Sequence, residues 1–160
     1  MARKIAVFNL KGGVAKTTTV NSLAAGLVEL KNKVLVIDMD PQSSLTYLLT
    51  EKGTRLKGTT EDILFQKKSV DECIMQASMY DYIGSTLRLT MVEMELNGKY
   101  NKEFILKKAL VKSGIEKNYD YIIFDCPPGL GIFSLNALSA SNEIIIPCQW
   151  EDAGEFRGRG

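Results

Sequence analysis

Lys4-Ile5-Ala6-Val7-Phe8 leads into Asn9-Leu10-Lys11-Gly12-Gly13-Val14-Ala15, and Lys16-Thr17-Thr18 follows at once. The first five residues read as a short strand. Val20, Leu23, Ala24, Leu27 and Leu30 then recur at helical spacing and predict a helix from Lys16 to about Lys31. A glycine pair between a strand and a helix lets successive backbone N–H groups turn inward as a nest for phosphate oxygens. The helix N-terminus behind it adds partial positive charge. Lys16 supplies a mobile point charge for terminal phosphates, and the Thr17 hydroxyl is a ligand for Mg²⁺. A plain glycine turn with surface lysines leaves the pairing of Lys-Gly-Gly with Lys-Thr-Thr unexplained.

The same alternation continues outward. Val34-Leu35-Val36-Ile37 is apolar on both faces, as a strand covered by helices on both sides must be. Thr59-Thr60-Glu61-Asp62 marks a helix start, and Tyr82-Ile83 a short strand. A helix is predicted from about Asn101 to Lys117, with Phe104, Ile105, Leu106, Ala109 and Leu110 as its apolar stripe. Tyr121-Ile122-Ile123-Phe124 is a strand ending in Asp125, followed by a helix over Ile132 to Ser139 and a strand at Ile144-Ile145-Ile146. Strands alternating with helices predict an α/β fold, a mostly parallel β-sheet flanked by helices on both faces. We read one domain over residues 1–150 and an unstructured or foreign tail over 151–160, which leaves the sheet incomplete at its C-terminal end.

Bulk composition narrows the chemistry. With 160 residues, 45% hydrophobic and 24% charged, the chain has the makeup of one globular domain. The formal net charge of +1 gives no global attraction to nucleic acid or membranes. No apolar run approaches the roughly 20 residues that span a bilayer. Cys73, Cys126 and Cys148 are far apart and lack CxxC spacing, which suits a reducing cytoplasm rather than a disulfide framework or zinc site. The absence of histidine removes the Ser-His-Asp and Cys-His systems, so catalysis must rest on lysine, carboxylate, hydroxyl, backbone amides or a metal ion.

Carboxylates close two of the predicted strands. In Asp38-Met39-Asp40-Pro41-Gln42 the two acids are two residues apart, so an extended chain points both toward the crevice at the carboxyl end of the sheet. Pro41 keeps Asp40 out of a helix. Asp125 follows four apolar strand residues, the setting of an aspartate that holds magnesium through water. Cys126-Pro127-Pro128-Gly129 comes next, with Gly129 and Gly131 as pivots. A dinucleotide site is a weak alternative: there is no GxGxxG, although Asp38 falls near the place of a ribose-binding acid.

A strict GxxxxGK[ST] pattern misses the loop, because Leu10 and Ala15 stand where its outer glycines belong. The run Lys11-Gly12-Gly13-Val14-Ala15-Lys16-Thr17-Thr18 resembles instead the deviant Walker A loop, KGGVGKTT, of the ParA/Soj partition ATPases. Asp38-Met39-Asp40-Pro41-Gln42 is similar to that family's DxDPQ segment, and Asp125-Cys126-Pro127-Pro128-Gly129 to its switch region. Asn136 and Ile144 to Gln149 look like the next helix and strand, so the resemblance covers about residues 3–150. Ala15 departs from the family's glycine; if its φ is positive, the Cβ costs on the order of 1 kcal/mol. Ser43-Ser44 is a milder departure.

The resemblance implies P-loop NTPase architecture, ATP and ADP with Mg²⁺ as cofactors, and slow hydrolysis within a nucleotide-dependent homodimer that acts as a switch in plasmid or chromosome partition. It implies that residues 11–18 (Lys11, Gly12, Gly13, Val14, Ala15, Lys16, Thr17 and Thr18) hold the nucleotide. Lys11 reaches the partner protomer's nucleotide, and Asp40 orients the attacking water. Thr17, Asp38 and Asp125 form the magnesium region. A ParB-type partner and non-specific DNA follow by resemblance, with the DNA-binding part expected beyond this chain. Two alternatives stand beside it: a nucleotide-binding fragment without turnover, and a MinD-like positioning ATPase, whose C-terminal amphipathic helix has no counterpart here.

Overall fold

In the computed structural model, residues 1–96 and 98–149 are described, so the expectation for 151–160 lies outside the described residues. The strands are β1 (Arg3–Val7), β2 (Val34–Asp38), β3 (Met75–Gln76), β4 (Asp81–Ile83), β5 (Tyr121–Asp125) and β6 (Glu143–Ile145). They form one sheet in the order β3-β4-β2-β5-β1-β6, parallel throughout except for the β3–β4 hairpin. The helices are α1 (Lys16–Glu29), α2 (Ser44–Leu49), α3 (Thr60–Leu64), α4 (Val70–Cys73), α5 (Leu89–Leu96), α6 (Ile105–Ser113) and α7 (Ile132–Ala140). The expected α/β architecture is therefore present.

Alternation along the strands divides the core in two. Val7, Val34, Val36 and Ile123 face one side, where Val20 and Ala24 of α1 and Leu45 of α2 cover them. Ala6, Leu35, Ile37, Ile122 and Phe124 face the other side, under residues of α3 to α7. β2 is buried at every position, as its continuous apolar run requires.

Two elements differ from expectation. The α1 stripe stops at Leu27: Leu30 is 74% exposed, because the chain leaves the helix there and Lys31 turns left-handed at φ 67°. The single helix expected from Asn101 to Lys117 is three pieces. A 3₁₀ turn at Lys102–Phe104 precedes α6, and another at Ile115–Lys117 follows Gly114, whose φ of 67° ends α6. Leu106 and Leu110 of the expected stripe are buried, whereas Phe104 lies at the surface. The break has a cause in α7: Asn136 accepts the Leu106 amide at 3.0 Å and donates to the Lys102 carbonyl at 2.9 Å.

Candidate functional site

β1, β5 and β2 lie side by side and parallel, so their carboxyl ends open into one crevice, where open α/β sheets take their ligands. Val7, Asp125 and Asp38 stand in register across that edge. The glycine loop leaves β1, and the Asp38–Gln42 and Asp125–Gly131 segments leave β2 and β5. The sheet thus gathers the three sequence motifs at one end.

The loop is built for an anion. Gly13 (φ 73°) and Ala15 (φ 59°, ψ 33°) are left-handed, and Ala15 caps α1 without a side-chain bond. The first helical bonds run from the Thr19 amide and hydroxyl to the Ala15 carbonyl, each 2.9 Å. No backbone N–H from Gly12 to Thr18 donates to a described residue, which leaves a row of donors at a helix N-terminus. Lys16 is only 8% exposed, and its Nζ donates to the Lys11 carbonyl at 3.0 Å, folding the ammonium over the loop. Lys11 itself is exposed. Asn9 fixes the loop's entry: Oδ1 accepts the Lys11 amide at 2.9 Å, and Nδ2 donates to the Pro147 carbonyl at 2.7 Å beyond β6.

The carboxylates divide by environment. Asp38 is buried, and its oxygens accept the Asp40 amide (3.0 Å), the Thr46 amide (2.9 Å) and the Thr46 hydroxyl (2.6 Å). Burial raises its pKa, and these bonds oppose the shift. With that network its carboxylate organises the Asp40 turn and α2, close enough to Asp125 for its charge to be felt there. Asp40 remains partly exposed; its Oδ1 accepts the Gln42 amide at 2.8 Å, and its carbonyl accepts the Ser85 hydroxyl at 2.6 Å.

Asp125 is the opposite case. It is 1% exposed, and neither carboxylate oxygen has a hydrogen-bond partner among the described residues. Burial above all, then the charges of Asp38 and Asp40, push its pKa up to about 7, while the Thr17 hydroxyl and the Lys16 ammonium pull the other way. A buried, unsatisfied carboxylate beside a hydroxyl suits a hard cation. Among the described residues no three histidine, cysteine, aspartate or glutamate side chains form a cage, so an ion here draws most of its ligands from phosphate and water.

The segment after Asp125 closes over the loop. A Cβ on Gly12 would lie 3.9 Å from the Pro128 Cβ, and the Ser134 hydroxyl of α7 donates to the Gly129 carbonyl at 2.8 Å. Asn9, Thr46 and Ser85 were not singled out in the sequence. Asn9 carried a signal, as an amide at the strand–loop junction, whereas Thr46 and Ser85 act only through tertiary contact.

A family model described as "AAA domain" matches residues 2–156. The chain is 40% identical over 153 residues to the sporulation initiation inhibitor protein Soj of Bacillus subtilis, covering 94% of this chain and 60% of that protein. It thus spans about three-fifths of that relative's length. A crystal structure described as cobyrinic acid a,c-diamide synthase from Mycobacterium smegmatis, with bound ATP analog and magnesium, superposes with a TM-score of 0.88 at 34% identity, covering 98% of this chain and 66% of that one. A plasmid partition protein from Borrelia burgdorferi superposes with a TM-score of 0.83 at 34% identity, covering 97% and 70%. With the family model matching nearly its full length, the chain belongs to the AAA-domain family, and its relatives there include the Soj and ParA partition proteins.

Proposed function

We propose that this chain binds ATP with magnesium and hydrolyses it slowly, as a partition ATPase of the ParA/Soj type. The observation that carries the reading is the Asp125 carboxylate, unbonded among the described residues, beside Thr17 and a loop whose amides donate to no described residue. The amides of residues 12–18 cradle the phosphates. Lys16, released from the Lys11 carbonyl, neutralises the terminal ones. Thr17 and Asp125 hold the magnesium ion, directly or through water, and the ion supplies charge neutralisation at the transferring phosphate. Asp38 holds the Asp40 turn, and Asp40 orients the attacking water.

Lys11 reaches a second protomer's nucleotide, where it stabilises charge in the transition state, a reading supported by its exposure at the loop's entry. Nucleotide-dependent dimerisation then forms the switch. A ParB-type protein and non-specific DNA as partners, and a cytoplasmic site of action, belong to the same proposal. No helix among the described residues is long and apolar enough to cross a membrane. A second reading, nucleotide binding without turnover, is favoured by the sheet edge, where Ile144 and Ile146 are 54% and 59% exposed.

Steady-state ATP hydrolysis with and without magnesium, run beside Lys16→Ala and Asp40→Ala, tests the proposal. Magnesium-dependent turnover lost in both variants supports it. ATP binding with no turnover selects the second reading, and no ATP binding at all overturns both.

A further inference from the structure

A second concave site lies on the helical face formed by α3, α4 and α6. It is a cavity of about 700 Å³, the size that takes a small-molecule ligand. Its apolar part includes Ile63 and Val70, both 1% exposed, with Ile105 and Ala109 of α6 partly buried beside them. Its charge is one-sided. Lys67, Lys68, Lys99, Lys108 and Lys112 line it against a single acid, Asp71, an excess of four positive charges in a chain whose net charge is +1.

Those lysines are poorly compensated. The two ion pairs among the described residues, Arg3–Glu143 and Lys4–Glu116, involve none of them. Lys68 donates to the Lys57 carbonyl and Lys67 sits over the Phe65 ring; neither is in an ion pair among the described residues, although Lys68 lies near enough to Glu72 to help lower its pKa. Lys108 and Lys112 are four apart on α6, a like-charge spacing that works against the helix unless an anion sits between them. Tyr100, 97% exposed, lines the same cavity and offers a flat ring at its rim.

We propose that this cavity binds a small phosphorylated ligand carrying a flat ring, with its phosphate among Lys99, Lys108 and Lys112 and its ring on the Ile63–Ala109 floor against Tyr100. The concavity favours a small molecule over duplex nucleic acid, whose backbone needs an open or convex track. The site is separate from the glycine loop, because none of its lining residues belongs to the three crevice motifs.

The experiment titrates the full chain with 1-naphthyl phosphate, and separately with inorganic phosphate, while following Tyr100 and lysine-adjacent resonances by NMR. Naphthyl phosphate should bind about tenfold or more tighter than phosphate. Lys108→Glu with Lys112→Glu should abolish that binding while leaving the circular dichroism spectrum and ATP binding unchanged, and Lys16→Ala should leave it intact. Loss in Lys16→Ala alone would place the probe in the glycine loop and overturn the proposal. Equal affinity for phosphate and naphthyl phosphate would reduce the site to an adventitious ion contact. Displacement of the probe by a short DNA duplex, in preference to free naphthyl phosphate, would reassign the lysines to a nucleic-acid backbone.

Discussion

Asp38 and Asp125 are register partners at the ends of adjacent parallel strands, yet one carboxylate accepts three hydrogen bonds and the other has no partner within hydrogen-bond geometry among the described residues. Asp38 holds the Asp40 turn and α2, while Asp125 keeps both oxygens unbonded among the described residues.

The Asp125 carboxyl, raised from 3.8 to about 7, makes the ion-free fold pH-sensitive. Because the folded value is the higher one, its contribution to stability is fully present below pH about 4 and is lost as pH rises through about 7. Asp125→Asn should flatten this decline and, without magnesium, leave the variant more stable than the parent at pH 8 by a few kcal/mol, at about 1.4 kcal/mol per pH unit. Magnesium with ATP should then stabilise the parent and not the variant. Chemical denaturation across pH 4–9 checks both; a variant that follows the parent's curve would show that Asp125 is not the group responsible.

Turnover and binding should separate along the crevice. Lys16→Ala should weaken ATP binding about tenfold or more, since it removes a buried charge from the phosphates. Asp40→Asn should keep binding and lower turnover on the order of 10²-fold or more. Lys11→Ala should likewise spare binding while reducing turnover, and that loss should deepen as protein concentration rises if the lysine acts on a partner protomer. Nucleotide affinity measured by fluorescence, beside hydrolysis rates, gives the split.

Ala15 and Ser43 share nearly the same left-handed backbone, φ 59°, ψ 33° and φ 57°, ψ 30°, at the N-caps of α1 and α2. Both pay for a Cβ in that region. Ala15→Gly should raise stability by about 0.5–1 kcal/mol, the relief of strain exceeding the added freedom of the unfolded chain. Ser43→Gly should gain less, because the Ser43 hydroxyl donates to the Pro41 carbonyl at 3.3 Å and lies 3.1 Å from the Ser85 hydroxyl oxygen. Ala25→Gly inside α1 should instead cost about 1 kcal/mol. Thermal melts rank the three.

Thr46 carries the Asp38 network. Its hydroxyl donates to Asp38 and accepts the Ser85 amide at 2.9 Å. Thr46→Val strands a buried acceptor and a buried donor together and should destabilise by about 1–3 kcal/mol, whereas Thr46→Ser should restore most of it. Equal losses in Val and Ser variants would point to packing of the methyl group instead.

Much of this was readable in the chain. Apolar runs at Val34–Ile37 and Tyr121–Phe124 located β2 and β5 to within a residue, because strands buried on both faces admit few polar residues. The helix start predicted at Thr59-Thr60-Glu61-Asp62 is present, and there Thr59 and Asp62 bond reciprocally as a capping box. What escaped depends on distant contacts. α5 repeats Leu89, Val92 and Leu96 at helical spacing, but Met91 and Met94, both exposed, blur the face. α2 and α4 span six and four residues, too short to show a period. The break before α6 is written in Asn136, thirty residues downstream of Leu106. Of the site residues, the loop and the acids announced themselves by type and spacing, and the structure sorted the acids by whether each had a partner.

The position of β1 also governs when this molecule becomes competent. Its two neighbours in the sheet are β5 and β6, so Arg3 pairs with Tyr121 and Val7 with Ile145. The strand that launches the glycine loop is synthesised well before either of its partners in the sheet. Such long-range closure is slow. A nascent chain therefore carries the loop sequence on an unpaired strand until β5 has been made.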